Sequence, residues 1–307
     1  MDQGLERLGG DLHASLYFSK AFKYCYVNNP KAACSSIKKI LWAAETDSGA
    51  APRMPQRAGG EQDLLNRKPN TADDCRPWMP LDAPIVEDVS DRFYFTFVRN
   101  PFARTLSAYL DKIAGRPNIH KREFHRFFGL PADRRLSFGE FLELVERQPV
   151  SARDPHWRDQ CVSVALDLVP YDLVGKCEAL APDLARVCAV VGLGAVDPAG
   201  NSFMDHATHA SDKLRAYYGP REEDAVRRIY LEDFERLCYP AHLADAASAG
   251  GEPLAGLGGR GRHDRMVLLR MILESLGTAL QDVRMRQIDR MLAPAGGETS
   301  FLRRDVL

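Results

Sequence analysis

The segment from Phe22 to Leu41 constrains the fold more than any other part of the chain, because its patterns indicate a strand, a short turn and a helix in succession. Aromatic and apolar residues fill Phe22 to Val27, and Asn-Asn-Pro ends that strand. Helical apolar spacing follows from Ser35 to Trp42. The small residues between the two elements leave room for an anion at the helix N-terminus, where backbone N–H groups and the helix dipole favour negative charge. The segment therefore predicts a site for a nucleotide-like anion.

The order of residues in this turn separates it from the common nucleotide-binding loop. An ATP- or GTP-binding loop places its lysine after glycines, in the pattern Gly-x-x-x-x-Gly-Lys-Ser/Thr. Here Lys31 comes first and the turn contains no glycine. Lys31 adds a mobile positive charge at the mouth of the turn. The predicted anion-binding residues are Lys31, Ala32, Ala33, Cys34, Ser35 and Ser36.

A second strand and helix start carry another basic residue. The residues from Phe93 to Val98 form a strong strand pattern that ends at Arg99. Asn100 is a good N-cap and Pro101 a good first helical residue, so a helix is predicted to begin there. Ligands of open α/β sheets bind outside the carboxyl ends of strands, where both Arg99 and Lys31 fall. Two such corners predict a ligand with two separated phosphate groups.

These two segments together resemble the phosphate motifs of one enzyme family. The order Pro-Lys-x-x-x-Ser after a strand resembles the 5′-phosphosulfate loop of sulfotransferases. The string Val-Arg-Asn-Pro-Phe-x-Arg-x-x-Ser-Ala-Tyr resembles the 3′-phosphate motif of sulfotransferase family 2, the carbohydrate sulfotransferase group. Weaker similarity extends the resemblance over about residues 15–240. It includes Phe138–Phe141, Asp154–Gln160, Tyr171–Glu178, Tyr217–Tyr218 and Ile229–Tyr239.

The resemblance implies a fold, a reaction and a donor. The fold would be α/β, with three layers, a P-loop-like arrangement and a central parallel sheet, followed here by a C-terminal helical extension. The reaction would move a sulfuryl group from 3′-phosphoadenosine 5′-phosphosulfate to a hydroxyl of a sugar or glycoconjugate, without a metal. The acceptor would be a small molecule, a glycan or a glycolipid.

The resemblance also implies roles for individual residues. Lys31 would contact the bridging oxygen of the donor as a catalytic residue, and Ser35 would bind the 5′-phosphate. Arg99 and Ser107 would bind the 3′-phosphate. Arg104 lies one helical turn before Ser107 and could join them, although structural ion pairs are the favoured interpretation. Many family members have glycine where this chain has Ala33, and alanine is expected not to adopt the left-handed conformation that glycine allows. The loop geometry is therefore left open.

The histidines are the candidate general bases, since a neutral imidazole can accept a proton near neutral pH. His156 is the first candidate, because Pro155-His156-Trp157 matches the family's His-Trp segment, although a structural role beside a tryptophan is equally open. Glu178 could act as a base, but capping of the helix that follows is favoured. The other candidate bases are His13, His120, His125, His206 and His209.

The chain is predicted to contain a sulfotransferase domain over residues 1–243, a Gly/Ala-rich linker over 244–264 and an amphipathic helical extension over 265–307. Residues 46–90 read as an irregular insertion, either a lid over the site or a decorative loop. Arginines on the terminal helix would suit a membrane surface, but docking against the main domain or a second protomer, as in a homodimer, is favoured.

Composition limits the partners and the compartment. The formal net charge is −1, which offers no general field for nucleic acid or an anionic membrane. Seven scattered cysteines favour thiols of a reducing compartment over a disulfide framework. The residues from Met1 to Ser19 lack a continuous apolar run, so no signal peptide or transmembrane anchor is predicted. These features predict a cytoplasmic protein, related to the family through a bacterial branch.

Three alternative functions fit the sequence less well. A P-loop kinase needs a Gly-x-x-x-x-Gly-Lys-Ser/Thr loop and an Mg²⁺-binding carboxylate after a strand, and neither pattern is visible. A nonenzymatic module that binds adenosine bisphosphate would keep Arg99 and Ser107 but would not need Lys31. A scaffolding protein that assembles through its terminal helix does not account for two phosphate corners. The sulfotransferase is the prediction, and a kinase or another nucleotide-binding protein is the alternative.

Overall fold

The computed structural model describes residues 11–49, 78, 89, 91–194, 210–248, 252–255 and 261–271. These residues form one mixed sheet with helices on both of its faces. The five strands run in the spatial order β1-β2-β3-β4-β5. They are β1 (Leu16–Phe18), β2 (Tyr24–Val27), β3 (Phe93–Val98), β4 (Leu173–Lys176) and β5 (Leu254–Ala255).

The predicted parallel sheet is present at the centre, and its edges differ. Strand β3 pairs in parallel with β2 and with β4. Both edge strands, β1 and β5, pair antiparallel with their neighbours. The parallel centre brings the carboxyl ends of β2, β3 and β4 to the same edge of the sheet, which is where ligands of open α/β sheets bind.

The helices follow the predicted pattern with two differences. The sequence also suggests a polar, basic stretch around His120–His125 and one closing helix near 221–237; the structure instead has a helix at Ile119–Phe127 and two closing helices that are separated at Tyr230. Residues 11–15 and 262–271 are also helical. The nine labelled helices of the described residues are α1 (Cys34–Asp47), α2 (Pro101–Ala108), α3 (Ile119–Phe127), α4 (Phe138–Arg147), α5 (Gln160–Ser163), α6 (Leu180–Val191), α7 (Ala210–Tyr217), α8 (Pro220–Ile229) and α9 (Leu231–Arg236).

The strand residues point alternately into two apolar cores, one on each face of the sheet. Cys25 and Val27 of β2 lie in the larger core with α2, α4 and α8. Tyr24 and Tyr26 of the same strand lie in the second core with α1 and α6. Strands that are buried on both faces need apolar residues at successive positions, which explains why β2 and β3 consist of aromatic and apolar residues except for Thr96. Gly175 in β4 is required for packing, because a Cβ there would overlap the ring of Phe97.

Part of the predicted linker is packed against the main domain. Strand β5 pairs with β4, although it lies within residues 244–264. Arg262 donates hydrogen bonds to the carboxylate of Asp172 at 2.6 Å and to the carbonyl of Arg92 at 3.1 Å. Leu269 on the helix that follows is fully buried in the larger core. The domain boundaries stay a prediction, and the extension beyond residue 271 lies outside the described residues.

Most of the predicted insertion over residues 46–90 also lies outside the described residues. Trp78 is an exception: it is fully buried and packs edge-on against Tyr17 and Trp42. At least this part of the insertion therefore contributes to the second core.

In the part of the chain that the structure describes, no helix has both the length and the apolar character needed to cross a bilayer.

Candidate functional site

The predicted anion loop connects β2 to α1 and has an unusual backbone. Lys31 has φ of 67° and Ala33 has φ of 55°, so two non-glycine residues adopt the left-handed conformation. The expectation that Ala33 would not do so is wrong. This conformation costs an L-residue about 1–2 kcal/mol, and such strain persists where the surrounding contacts over-determine it, often at ligand sites. One such contact is made by Asn29, whose buried amide donates to the carbonyl of Phe97 at 3.0 Å.

Helix α1 begins without a side-chain cap. Its N-cap residue is Ala33, which has no side-chain oxygen and makes no capping hydrogen bond. The first N–H groups of a helix have no partner within the helix, and a capping side chain, water or a ligand must accept from them. An uncapped helix start after a strained loop is therefore a suitable place for an anion.

Lys31 contacts a carboxylate that the sequence did not single out. Its Nζ lies 2.9 Å from Oδ2 of Asp111, and Nζ of Lys112 lies 3.1 Å from the same oxygen. Burial lowers the pKa of Lys31, and Asp111 partly offsets this effect. Although burial alone would raise the pKa of Asp111, the two ammonium groups lower it to about 2. Two positive charges and one negative charge thus converge beside the loop, which leaves a net positive charge for an anion.

Asp111 reaches Lys31 from an irregular turn of helix. Residues Tyr109–Ile113 continue α2 as a π-helical turn, and the N–H of Ala114 donates to the carbonyl of Tyr109 at 2.8 Å. Such wider turns occur frequently at functional sites, where they redirect side chains. The signal in the sequence was the Asp-Lys pair at 111–112, which follows the 3′-phosphate motif after one residue, Leu110.

The second predicted corner has the expected helix start. The carboxamide oxygen of Asn100 accepts from the N–H of Phe102 at 3.0 Å, and Pro101 is the first residue of α2. The N–H of Arg99 donates to the side chain of Gln160 at 2.9 Å, and its Nη1 lies 3.4 Å from the carbonyl of Lys31. The guanidinium of Arg99 therefore lies against the anion loop, and the two corners are adjacent.

Two further residues of the second motif are buried within α2. Ser107 is 2% exposed, and its role as a phosphate ligand stays a prediction. Arg104 is 1% exposed and donates to the carbonyl oxygens of Pro30, Pro155 and Arg158. The favoured interpretation of Arg104 as a partner in ion pairs is wrong, because these acceptors are uncharged.

His156 lies in a cluster with a second histidine and an aspartate. Its Nδ1 is 2.6 Å from Oδ1 of Asp154, and Nδ1 of His120 is 2.8 Å from Oδ2 of the same carboxylate. A carboxylate only accepts hydrogen bonds, so each imidazole donates through Nδ1 and, when neutral, keeps its lone pair on Nε2. Burial lowers the pKa of His156 to about 4, although Asp154 opposes this change. The neutral imidazole is therefore the form present at pH 7.

These three side chains are also of the types that bind metals. Their ligand atoms all lie within 4.8 Å of one another. Each carboxylate oxygen of Asp154 already accepts from an imidazole at hydrogen-bond length, so the cluster is satisfied by its own contacts. The expectation of a reaction without metal stays a prediction.

The remaining candidate bases are less suitable or undescribed. His125 is 2% exposed, and its Nδ1 lies 2.8 Å from the carbonyl of Pro131. His13 is also buried. Glu178 accepts from the N–H of Asn100 at 2.8 Å, so it fixes the start of α2. The prediction that it caps the helix that follows it is wrong, because that helix has no side-chain cap. His206 and His209 lie outside the described residues.

Sequence patterns missed two carboxylates that organise the site. Asp111 fixes Lys31, and Asp154 orients the two imidazoles of the cluster. The spacing Asp154-Pro-His156 was a usable signal, because an aspartate two residues before a histidine can accept from its backbone N–H, as it does here at 2.9 Å. His120 was a candidate, but nothing in the sequence placed it beside His156.

Comparison with known proteins adds independent information. Residues 18–240 match the Sulfotransferase family. Carbohydrate sulfotransferase 14 of Danio rerio is 30% identical over 189 residues, which are 56% of this chain and 46% of that protein. Its counterpart in Homo sapiens is 28% identical over 239 residues, 71% of this chain and 58% of that protein. Carbohydrate sulfotransferase 11 of Rattus norvegicus is 27% identical over 192 residues, 55% of this chain and 50% of that protein.

The chain spans about half the length of these curated relatives. No solved structure matches it. The family match nevertheless covers most of the chain and includes the anion loop, the Arg99 corner and the His156 cluster. The chain belongs to the Sulfotransferase family.

Proposed function

We propose that the protein transfers a sulfuryl group from 3′-phosphoadenosine 5′-phosphosulfate to a hydroxyl group of a sugar or glycoconjugate. The observation that carries the proposal is the position of Lys31. Its ammonium group lies in a strained loop at the carboxyl end of a parallel strand, directly before an uncapped helix. Arg99 follows the neighbouring strand and supplies a second cation. This arrangement suits a donor with two phosphate groups and supports a P-loop-like placement of that donor.

On the donor side, the residues of the anion loop would hold the 5′-phosphosulfate. Backbone N–H groups of Ala33 to Ser36 would donate to its oxygens, and Arg99 with Ser107 would bind the 3′-phosphate. Lys31 would leave Asp111 and neutralise the charge that develops on the bridging oxygen. A charge positioned in this way acts mainly by stabilising the transition state. When bound, the donor supplies an activated sulfuryl group that can pass in line to the acceptor.

On the acceptor side, His156 would act as the general base. Its Nε2 would take the proton of the acceptor hydroxyl, while Asp154 fixes the orientation of the ring through Nδ1. The lowered pKa of His156 keeps the imidazole neutral, and therefore able to accept, at pH 7. His120 would present a second imidazole to the same acceptor.

The acceptor class rests on the relatives, which are named as carbohydrate sulfotransferases. Helix α3 carries His120 and also two exposed arginines, Arg122 and Arg126, against one exposed carboxylate, Glu123, so its excess of positive charge favours an acidic sugar as the acceptor. A cytoplasmic location, a homodimer and contact of the terminal helix with a membrane stay proposals.

Calorimetric titration tests the donor first. We expect 3′-phosphoadenosine 5′-phosphate to bind at least about tenfold more tightly than ATP, a difference of about 1.4 kcal/mol. Equal or tighter binding of ATP would contradict the proposal and favour a kinase.

Transfer of a radiolabelled sulfuryl group then tests the reaction, with neutral oligosaccharides, acidic oligosaccharides and a lipid-linked sugar as acceptors. Incorporation by the wild type and by Lys39→Ala, but not by Lys31→Ala, is the expected result. Lys39 is a matched control because it lies in the helix that follows the loop. Incorporation that survives the Lys31 change would show that this lysine is not catalytic.

A further inference from the structure

Arg104 connects the loop that carries Lys31 to the loop that carries His156. Its Nε donates to the carbonyl of Pro30 at 3.0 Å, and its Nη2 donates to the carbonyl of Pro155 at 2.8 Å. The acceptor residues are 74 and 51 positions away along the chain. One planar side chain therefore bridges two segments that have no local connection.

The two acceptors are placed directly before the proposed catalytic residues. The carbonyl of Pro30 shares a planar peptide unit with the nitrogen of Lys31, and the carbonyl of Pro155 shares one with the nitrogen of His156. A hydrogen bond that fixes such a carbonyl also fixes the orientation of the peptide plane on which the next residue begins. The guanidinium is rigid and planar, so it holds both peptide planes in one fixed relation.

The other contacts of Arg104 extend this connection to the second phosphate corner. Its Nη2 also lies 3.4 Å from the side-chain oxygen of Asn29, whose amide donates to Gln160 at 3.1 Å. Gln160 in turn accepts from the N–H of Arg99 at 2.9 Å. The anion loop, the Arg99 corner and the His156 loop thus share one buried hydrogen-bond network.

The geometry does not leave Arg104 available as a phosphate ligand. A guanidinium has five N–H donors. Four hydrogen bonds, to Pro30, Pro155, Asn29 and, at 2.7 Å, the carbonyl of Arg158, use four of them. The residue is 1% exposed, so a phosphate could not approach without displacing these acceptors.

We propose that Arg104 is a positioning residue that holds Lys31 and His156 at the separation needed for transfer between donor and acceptor. The inference rests on the proposed roles of Lys31 and His156. Lysine cannot replace Arg104, because a single ammonium cannot reach three carbonyl groups that surround a planar fork.

The test compares Arg104→Lys with Arg116→Lys, a matched change at an exposed arginine. We expect turnover of the Arg104 variant to fall by about 10- to 100-fold, because small misplacements of reacting groups can cost as much as 10²-fold. Affinity for 3′-phosphoadenosine 5′-phosphate should change by less than about threefold, which is under 1 kcal/mol. Turnover can be measured as transfer to water, which needs no identified acceptor: the oxygen of water bonds to sulfur, the bond between sulfur and the bridging oxygen breaks, and sulfate, two protons and the bisphosphate are released.

Hydrogen exchange tests, independently of activity, whether Arg104 holds the Lys31 loop and the His156 loop. In Arg104→Lys, amide exchange should become faster at residues 29–33 and 154–158 and stay unchanged in β3. Millimolar guanidinium should restore part of the turnover of Arg104→Ala, and methylammonium should not, because only guanidinium reproduces the planar fork.

Two results would overturn the inference. A loss of bisphosphate affinity of tenfold or more would make Arg104 a phosphate ligand. A lower Tm with faster exchange throughout the protein, and with normal turnover for each binding-competent molecule, would make its role purely structural. Failure of the wild type to bind the bisphosphate would instead contradict the proposed function, while the exchange at the two loops would still show whether Arg104 joins them.

Discussion

The two phosphate corners begin in the same way and end differently. Each follows a strand of the parallel centre, β2 or β3, and each leads into a helix at the carboxyl edge of the sheet. Helix α2 starts with the capping side chain of Asn100 and with Pro101. Helix α1 starts with Ala33 in a left-handed conformation and has no side-chain cap.

The difference teaches that the N-cap residue decides whether a helix start is stabilised by the protein itself or offers its N–H groups to a ligand. At α2 the side chain of Asn100 already accepts from the first-turn N–H of Phe102, and Arg99 directly before the cap supplies a cation. At α1 the N-cap residue, Ala33, offers no side-chain acceptor, and the strained loop beside it is stabilised through Asn29 and Arg104. A ligand anion can complete the start of α1, whereas it can only add to α2.

The largest expected effect comes from removing the cation of the α1 corner. Lys31→Ala should lower turnover by about 10²- to 10³-fold, as for loss of a preorganised group that stabilises developing charge. Donor affinity should fall much less, because the backbone N–H groups remain. Steady-state kinetics and calorimetry would measure the two effects, with Lys39→Ala as the control. An equal loss of affinity and turnover would mean that Lys31 only binds the donor.

The α2 corner should show the opposite division. Arg99→Ala should weaken binding of 3′-phosphoadenosine 5′-phosphate by about 30-fold, which corresponds to about 2 kcal/mol for a charged hydrogen-bond partner. Binding of adenosine 5′-phosphate, which lacks the 3′-phosphate, should be unaffected. Calorimetry on both nucleotides measures this, and Arg116→Ala is a matched exposed control. If both nucleotides lose affinity equally, Arg99 does not read the 3′-phosphate.

The dependence of activity on acid pH distinguishes the proposed base, His156, from the cations of the two corners. Lysine and arginine side chains keep their charge as the pH falls, whereas burial lowers the pKa of His156 from its ordinary 6.5 to about 4. The neutral base is therefore present above about pH 4 and is lost below it. The acid limb of kcat/KM should lie near pH 4, with a decrease of about tenfold for each further pH unit. A limb near pH 6.5 would contradict the role of His156 or the burial that lowers its pKa.

The smallest effects concern the helix starts themselves and have opposite signs. Asn100→Ala should destabilise the protein by about 1 kcal/mol through loss of the cap. Ala33→Gly should stabilise it by about 0.5–1 kcal/mol, because relief of the left-handed strain exceeds the entropic cost of glycine. Urea unfolding of both variants measures the free energies. Destabilisation by Ala33→Gly would show that the loop is not strained at this position.

Local sequence patterns were sufficient for the α2 corner and only partly sufficient for the α1 corner. The run Phe93 to Val98, followed by a capping residue and proline, predicted β3 and the start of α2 as they are observed. The composition of the anion loop predicted the site but gave the wrong conformation for Ala33, since backbone strain depends on distant contacts that hold the loop. The same limit hid the contact of Asp111 with Lys31, 80 residues away, and that of Asp154 with His120, 34 residues away.

Local patterns were enough to predict the central strands β2 and β3, the capped helix start and the two cationic positions at strand ends, because each depends on residues that are close together in the chain. Which loops meet depends on the packing of distant segments, which local patterns do not specify. Arg104 lies in a helix that the sequence predicts, but its acceptors are the backbone carbonyl groups of Pro30 and Pro155. Because every residue has a backbone carbonyl, residue types do not indicate which carbonyl accepts a hydrogen bond. Packing of α2 brings those carbonyls around one buried guanidinium, which joins the loop of Lys31 to the loop of His156.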